Sequence, residues 1–339
     1  MGAVLWALRI AVLVGVLFGS WATISSGRLD TDDWLRLAGS GLSLGAIYAL
    51  IALGYTLVYG VLFIVNFAHG EVFMMGAFAG MFTAAGLAEG GLLDANPAVG
   101  LVIIFAAAML TSMLVAVILE RIAYRPLRRA PRLVPLITAI GASLFLQYTA
   151  LGFFGPQSRR YPEIDFLAGR VNLIGASFRV IELVTIVAAV VLMFALYYFV
   201  ERTRTGRAMR AVSEDKDVAA LMGIDVDRII VTTFAIGGLL AGAAGVLYAL
   251  LFNRVEFVMG LLPGIKAFTA AVLGGIGNIV GAMLGGVALG LLENVGPSLL
   301  LLGVGVPATN QLRDVVAFSV LVLVLVFRPT GLLGRRESV

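Results

Sequence analysis

The residues with chemical capacity in this chain are few and scattered. His69 and Glu71 stand together in Asn66-Phe67-Ala68-His69-Gly70-Glu71, between two long apolar runs. A buried histidine or carboxylate that faces lipid is expensive, so both should face a cavity, a partner or an interface. One reading makes Asn66, His69, Gly70 and Glu71 a polar lining of a path, with Gly70 as a hinge. The plainer reading makes them a helix boundary, with Asn66 capping the helix that contains Glu71, whose charge then meets the positive dipole end. Catalysis by His69 is disfavoured, because no nucleophile or paired carboxylate accompanies it. It is the single histidine, and there is no cysteine. Multi-histidine metal sites, thiol chemistry and disulfides are therefore excluded.

A second group is Thr269 with the glycine cluster Gly274-Gly275-Ile276-Gly277-Asn278. Each glycine costs ~1 kcal/mol in a helix interior, so a break is expected there. Further GxxxG spacings, such as Gly238/Gly242 and Gly281/Gly285, read as ordinary helix packing. A third group lies in Thr205 to Ile224. Ser213 is a good N-cap type, Glu214 and Asp215 would fill a first turn, and Gly223 would stop the helix. The expected short helix carries an apolar surface from Val218, Ala219, Leu221 and Met222. Its acidic start disfavours anionic lipid and favours a protein groove. No GxxxxGK[ST] phosphate loop occurs, so no cofactor is expected on this chain, and any ATP must be bound by another subunit.

The elements that position these groups follow from composition. Of 339 residues, 60% are hydrophobic and 13% charged, with a mean hydropathy of +1.03. Charge-free runs such as Pro97 to Leu119 are long enough to cross ~30 Å of hydrocarbon. The predicted fold is an all-α, polytopic transmembrane helix bundle of about eight to ten spans, with broken glycine-rich helices. Helices are expected near 3–21, 41–62, 70–88, 97–120, 134–154, 181–200, 229–251 and 312–328, with 265–292 broken. Two interrupted segments suggest an internal pseudo-repeat, 41–154 against 181–328. Residues 1–36 read as a hydrophobic extension, either an extra helix or a signal sequence.

Arginines orient the chain. Arg121, Arg125, Arg128, Arg129 and Arg132 place loop 120–133 in the cytoplasm. Arg202, Arg204, Arg207 and Arg210 do the same for loop 201–228, and Arg328, Arg335 and Arg336 for the C-terminus. By parity, 265–292 must then cross an even number of times. The small net charge of +4 reads as topology, not as a nucleic-acid surface.

Several stretches, in order, resemble the permease subunits of ABC importers for branched-chain amino acids. They are GLSLGAIYALIALGYTLVYG (41–60), IVNFAHGE (64–71), ERIAYRPLR (120–128), ITAIGASLFLQ (137–147), GRAMRAVSEDKDVAALMGI (206–224), KAFTAAVLGGIGNIVGAMLGG (266–286) and RPTGLLG (328–334). The resemblance implies a permease domain over 37–334, followed by a cytoplasmic tail at 335–339. It implies a bacterial inner-membrane location and three kinds of partner: a second permease subunit, two cytoplasmic ATPases, and a periplasmic or lipid-anchored binding protein. It also implies ATPase coupling through Gly206, Arg207, Ala211, Glu214, Asp215, Lys216, Ala219, Leu221 and Gly223. A urea or short-amide permease of the same fold is the nearest alternative. A stand-alone secondary transporter would need charged pairs deep in its helices, and the apolar runs read as charge-free.

Overall fold

A computed structural model describes residues 2–128, 130–131, 133–173, 175–306, 308–328 and 330–334. Arg129, Arg132, Arg335, Arg336 and the expected tail 335–339 lie outside the described residues. The helices are α1 (Gly2–Ser26), α2 (Thr31–Leu62), α3 (His69–Glu89), α4 (Leu92–Ala95), α5 (Pro97–Leu119), α6 (Leu133–Phe154), α7 (Asp165–Ala168), α8 (Val180–Arg202), α9 (Arg204–Glu214), α10 (Lys216–Leu221), α11 (Val226–Phe252), α12 (Leu261–Gly274), α13 (Ile279–Leu301) and α14 (Arg313–Phe327). Among the described residues, nine helices are long and apolar enough to cross a membrane. The expected helical bundle is borne out. Two small antiparallel pairs of strands are additions to it: Arg159–Arg160 with Arg254–Val255, and Arg170–Leu173 with Ala176–Arg179. The expected boundary between residues 36 and 37 falls inside α2, which starts ten residues before the span expected at 41–62.

Two helices form the centre. α2 and α11 are buried along most of their length, because alanine and glycine on their faces let neighbouring backbones approach closely. At Gly242 an added Cβ would stand 2.8 Å from the Met109 Cα. At Gly45 it would stand 2.9 Å from the Val287 Cα. These are packing glycines, as the Gly238/Gly242 spacing suggests for the first of them.

The contacts repeat. α2 packs on α13 as α11 packs on α5, α3 on α5 as α12 on α13, α3 on α11 as α12 on α2, and α3 on α6 as α12 on α14. Exchanging α2, α3, α5 and α6 with α11, α12, α13 and α14 therefore maps these four pairs onto one another, although α13 also packs on α14 where α5 and α6 are not comparably packed. The repeat relates 31–154 to 226–327. This corrects the expected 181 boundary, because α8 packs beside α2 and α11 and lies outside the correspondence.

The two halves run in opposite directions. α2 ends where Phe63 meets Lys216 of α10, and α11 starts just after α10. Both central helices stop in the same way. Phe63 (φ 58°) and Asn253 (φ 54°) take left-handed backbone, and they are the described non-glycine residues with positive φ. A short non-helical stretch follows each, and then α3 and α12 begin. α12 has 14 residues. At 1.5 Å per residue it reaches about 21 Å, short of a full crossing. With α13 it makes a helical hairpin in the stretch expected to be broken.

Candidate functional site

The starts of α3 and α12 meet inside the bundle. An added Cβ on Gly264 would stand 3.1 Å from the Gly70 Cα, so a larger residue there would press the two helix starts apart. Around this crossing lie the polar residues expected of a path. Asn66 is buried and does not cap α3 with its side chain. Its Oδ1 instead accepts from the Tyr124 hydroxyl at 2.7 Å. The cap position belongs to Ala68, which has no side-chain bond to give. The capping reading of Asn66 is thus corrected: a tyrosine two helices away competes for the amide. His69 is buried against Gly54 and meets the Tyr55 ring edge-on, with centroids 5.0 Å apart. Its Nε2 has no hydrogen-bond partner among the described residues.

Glu71 sits in the first turn of α3, as expected, and is 1% exposed. One carboxylate oxygen accepts a long bond from Ser143 Oγ, at 3.4 Å, and the other has no partner among the described residues. It borders a largely apolar cavity of about 150 Å³ between α2, α3, α6 and α12. Thr269 is also buried, but its hydroxyl bonds its own helix at the Ile265 carbonyl, 2.9 Å away.

The second break falls where the glycine cluster predicts it. α12 ends at Gly274, and Gly275 (φ 105°) and Gly277 (φ 90°) turn the chain. Asn278 caps α13, accepting from Gly281 N at 3.0 Å. The break is also held from outside the hairpin. Leu332 N donates to the Leu273 carbonyl at 2.8 Å, and Leu333 N to the Gly274 carbonyl at 3.0 Å. Asn278 Nδ2 donates to the Leu333 carbonyl at 2.9 Å. The stretch 330–334 therefore straps the turn.

The loop between α8 and α11 differs from its expected shape. It holds two helices, α9 and α10, not one. Ser213 lies inside α9 and bonds back to the Arg210 carbonyl at 2.7 Å. Asp215 is the cap, accepting from Asp217 N at 2.9 Å and Val218 N at 3.0 Å. Glu214 is the last residue of α9, not part of a first turn. Gly223 (φ 82°) does end α10, and Ile224 N closes the stop by donating to the Ala219 carbonyl at 3.1 Å.

The nine residues expected to couple divide by exposure. Gly206 and Ala219 are buried, and Ala211 and Lys216 are partly so. Gly206 presses on α8, where an added Cβ would stand 2.5 Å from the Phe199 carbonyl oxygen. Arg207, Glu214, Asp215, Leu221 and Gly223 face outward. Leu221 is 87% exposed and Met222 78%. Lys216 turns inward, and its Nζ lies 5.8 Å from the Phe63 ring centroid. Burial, and then the neighbouring Arg128 charge, hold its ammonium below the usual lysine pKa.

Two groups are not visible in the sequence pattern. Arg128 pairs with both Glu120 and Asp227, and Arg125 with Asp227 at 2.8 Å, so arginines that read only as topology signals also tie α5 to α11. Lys266 pairs with Glu293 at 2.7 Å and Asp314 at 2.6 Å. Lys266 and Glu293 are both buried. The charge-free reading of these helices is corrected here. The two charges flank the apolar run 267–292 in sequence, and the helical hairpin brings them together.

Known proteins share this sequence pattern. The family model described as branched-chain amino acid transport system / permease component matches residues 37–325. The high-affinity branched-chain amino acid transport system permease protein BraD of Pseudomonas aeruginosa is 43% identical over 307 residues, covering 90% of this chain and 97% of that protein. The corresponding permease protein LivH of Escherichia coli K12 is 40% identical over 312 residues, 90% of this chain and 96% of that protein. A probable branched-chain amino acid transport permease protein, LivM of Methanocaldococcus jannaschii, is 29% identical over 171 residues, 43% of this chain and 45% of that protein. The chain is a multi-pass membrane protein and belongs to the family of branched-chain amino acid transport system permease components.

Proposed function

We propose that this chain forms one half of the pore of an ATP-driven importer that moves leucine, isoleucine and valine across a bacterial inner membrane. The relatives named for branched-chain amino acids support the substrate. The arginine-rich end, with loops 120–133 and 201–228 and the C-terminus, faces the cytoplasm. A second permease chain completes the pore, two ATPases bind at the cytoplasmic end, and a binding protein delivers substrate from outside.

One observation carries the coupling mechanism. The tip of α10 exposes Val218, Leu221 and Met222, while its Lys216 reaches Phe63, where α2 breaks. An ATPase that grips the apolar tip thereby pulls on the start of the 63–68 stretch. Closure of the ATPases moves α9 and α10, and the segments at 63–71 and 274–278 rearrange to open the path in turn to each side. Asn66, His69, Gly70 and Glu71 line or hinge the first segment. Gly274, Gly275, Gly277 and Asn278 hinge the second, with Thr269 one turn before it.

Copurification tests the docking surface. Replacing Leu221 and Met222 together with glutamate is expected to release the ATPases while the chain still inserts in the membrane. Retention of the ATPases by that double variant would remove α10 as their dock.

A further inference from the structure

Glu71 has no cationic partner among the described residues, although it is buried. One of its oxygens is unbonded, and the other has only the long Ser143 contact. Both α3 and α12 begin beside it: Glu71 is in the first turn of α3, and a Cβ on Gly260, at the N-terminus of α12, would stand 2.8 Å from the Glu71 carboxyl carbon. The partial positive charge of two helix starts favours an anion there. A buried carboxylate in such a place lacks one thing, a counter-cation of its own.

The space beside it supplies room for one. The cavity of about 150 Å³ opens next to the carboxylate. Its other walls are Tyr55, Ile140, Leu144, Leu261 and Ile265. A small molecule with one cationic end and a branched aliphatic body fits both halves of this lining. Asn66 and His69 do not border the cavity, so the polar side chains in its wall are Glu71, Ser143 and the Tyr55 phenol.

We propose that this cavity is a way station on the substrate path, in which Glu71 accepts the α-ammonium group of an aliphatic amino acid and the apolar wall takes its side chain. The inference rests on the importer reading and adds to it the atom that substrate meets. The lining keeps the contact brief: a single acceptor without a matching cation for the carboxylate holds a zwitterion weakly, which suits a path better than a store.

The absence of cysteine from the chain permits a direct test. Ser143→Cys places the single thiol beside Glu71. Membrane vesicles carrying the full chain with its partners are treated with the 2-aminoethyl, methyl and 2-sulfonatoethyl methanethiosulfonates. Rates are corrected for reaction with free cysteine. The cationic reagent is expected to label at least tenfold faster than the anionic one, and Glu71→Gln in the same background should abolish that preference. Millimolar leucine should slow labelling. Equal concentrations of 4-methylpentanoate, which lacks the ammonium, or of sodium chloride should not. Equal corrected rates for the three reagents, or no labelling by any of them, would overturn the proposal, as would protection by sodium alone. The charge preference and leucine protection are read with Glu71 intact, so they decide the matter even where Glu71→Gln fails to fold. Uptake by vesicles of the unaltered chain, dependent on ATP and the binding protein, checks the importer reading separately.

Discussion

Lys216 stands over the ring of Phe63, its Nζ 5.8 Å from the ring centroid, and this contact joins the exposed loop helix to the residue at which α2 breaks. Phe63 is held at φ 58°. A bulky side chain in that region costs about 1–3 kcal/mol and persists only where its surroundings fix it. The contact thus links a surface helix to a strained point of the backbone.

If that link transmits force, its loss should uncouple without dismantling. Lys216→Met is expected to leave ATPase copurification intact and to lower uptake about two- to fivefold, the range that a cation–π contact of ~0.5–1 kcal/mol allows. Phe63→Gly should lower uptake similarly while raising the thermal midpoint, because glycine adopts the left-handed backbone freely. A lower midpoint for Phe63→Gly would mean that the ring is needed for packing rather than for coupling.

The buried ion pair gives a stability prediction. Lys266 and Glu293 are 7% and 3% exposed, so removing Lys266 strands Glu293, whereas without Glu293 the lysine keeps Asp314. Lys266→Met is expected to destabilise the chain by about 3–5 kcal/mol, and Lys266→Met with Glu293→Leu by much less. Thermal unfolding in detergent, followed for the single and double variants, reads the difference. Equal losses would indicate that the pair contributes through packing alone.

The strap on the second break is testable in the same spirit. Gly275 lies against Gly334, where an added Cβ would stand 2.7 Å from the Gly334 Cα. Gly275→Leu should block uptake while the complex still assembles. Asn278→Ala removes a cap and the bond to the Leu333 carbonyl, and should cost about 1–2 kcal/mol. Normal uptake by Gly275→Leu would remove the hinge from the mechanism.

Much of this architecture is legible from residue order alone, because lipid restricts the options. The long apolar runs give the helices, glycine clustering gives the break at 274–278, and Gly223 gives the stop of α10. What the sequence hides are choices between nearby equivalents and contacts across distance. Ser213 and Asp215 are both good caps, and the charged, hydrogen-bonded Asp215 prevails because α9 runs on through Ser213. Asn66 is taken by Tyr124, a contact 58 positions away. Lys266 and Glu293 look like the edges of an apolar run until the hairpin folds them together. Glu71 is visible as an expensive residue, whereas the cavity beside it exists only once α6 and α12 are in place.

The most direct test is uptake of labelled leucine into right-side-out vesicles or proteoliposomes that hold the complete complex. Uptake is expected only when ATP is present on the side of α9 and α10 and the binding protein is present on the other. Uptake driven by an ion gradient in the absence of ATP, or by this chain alone, would contradict the account.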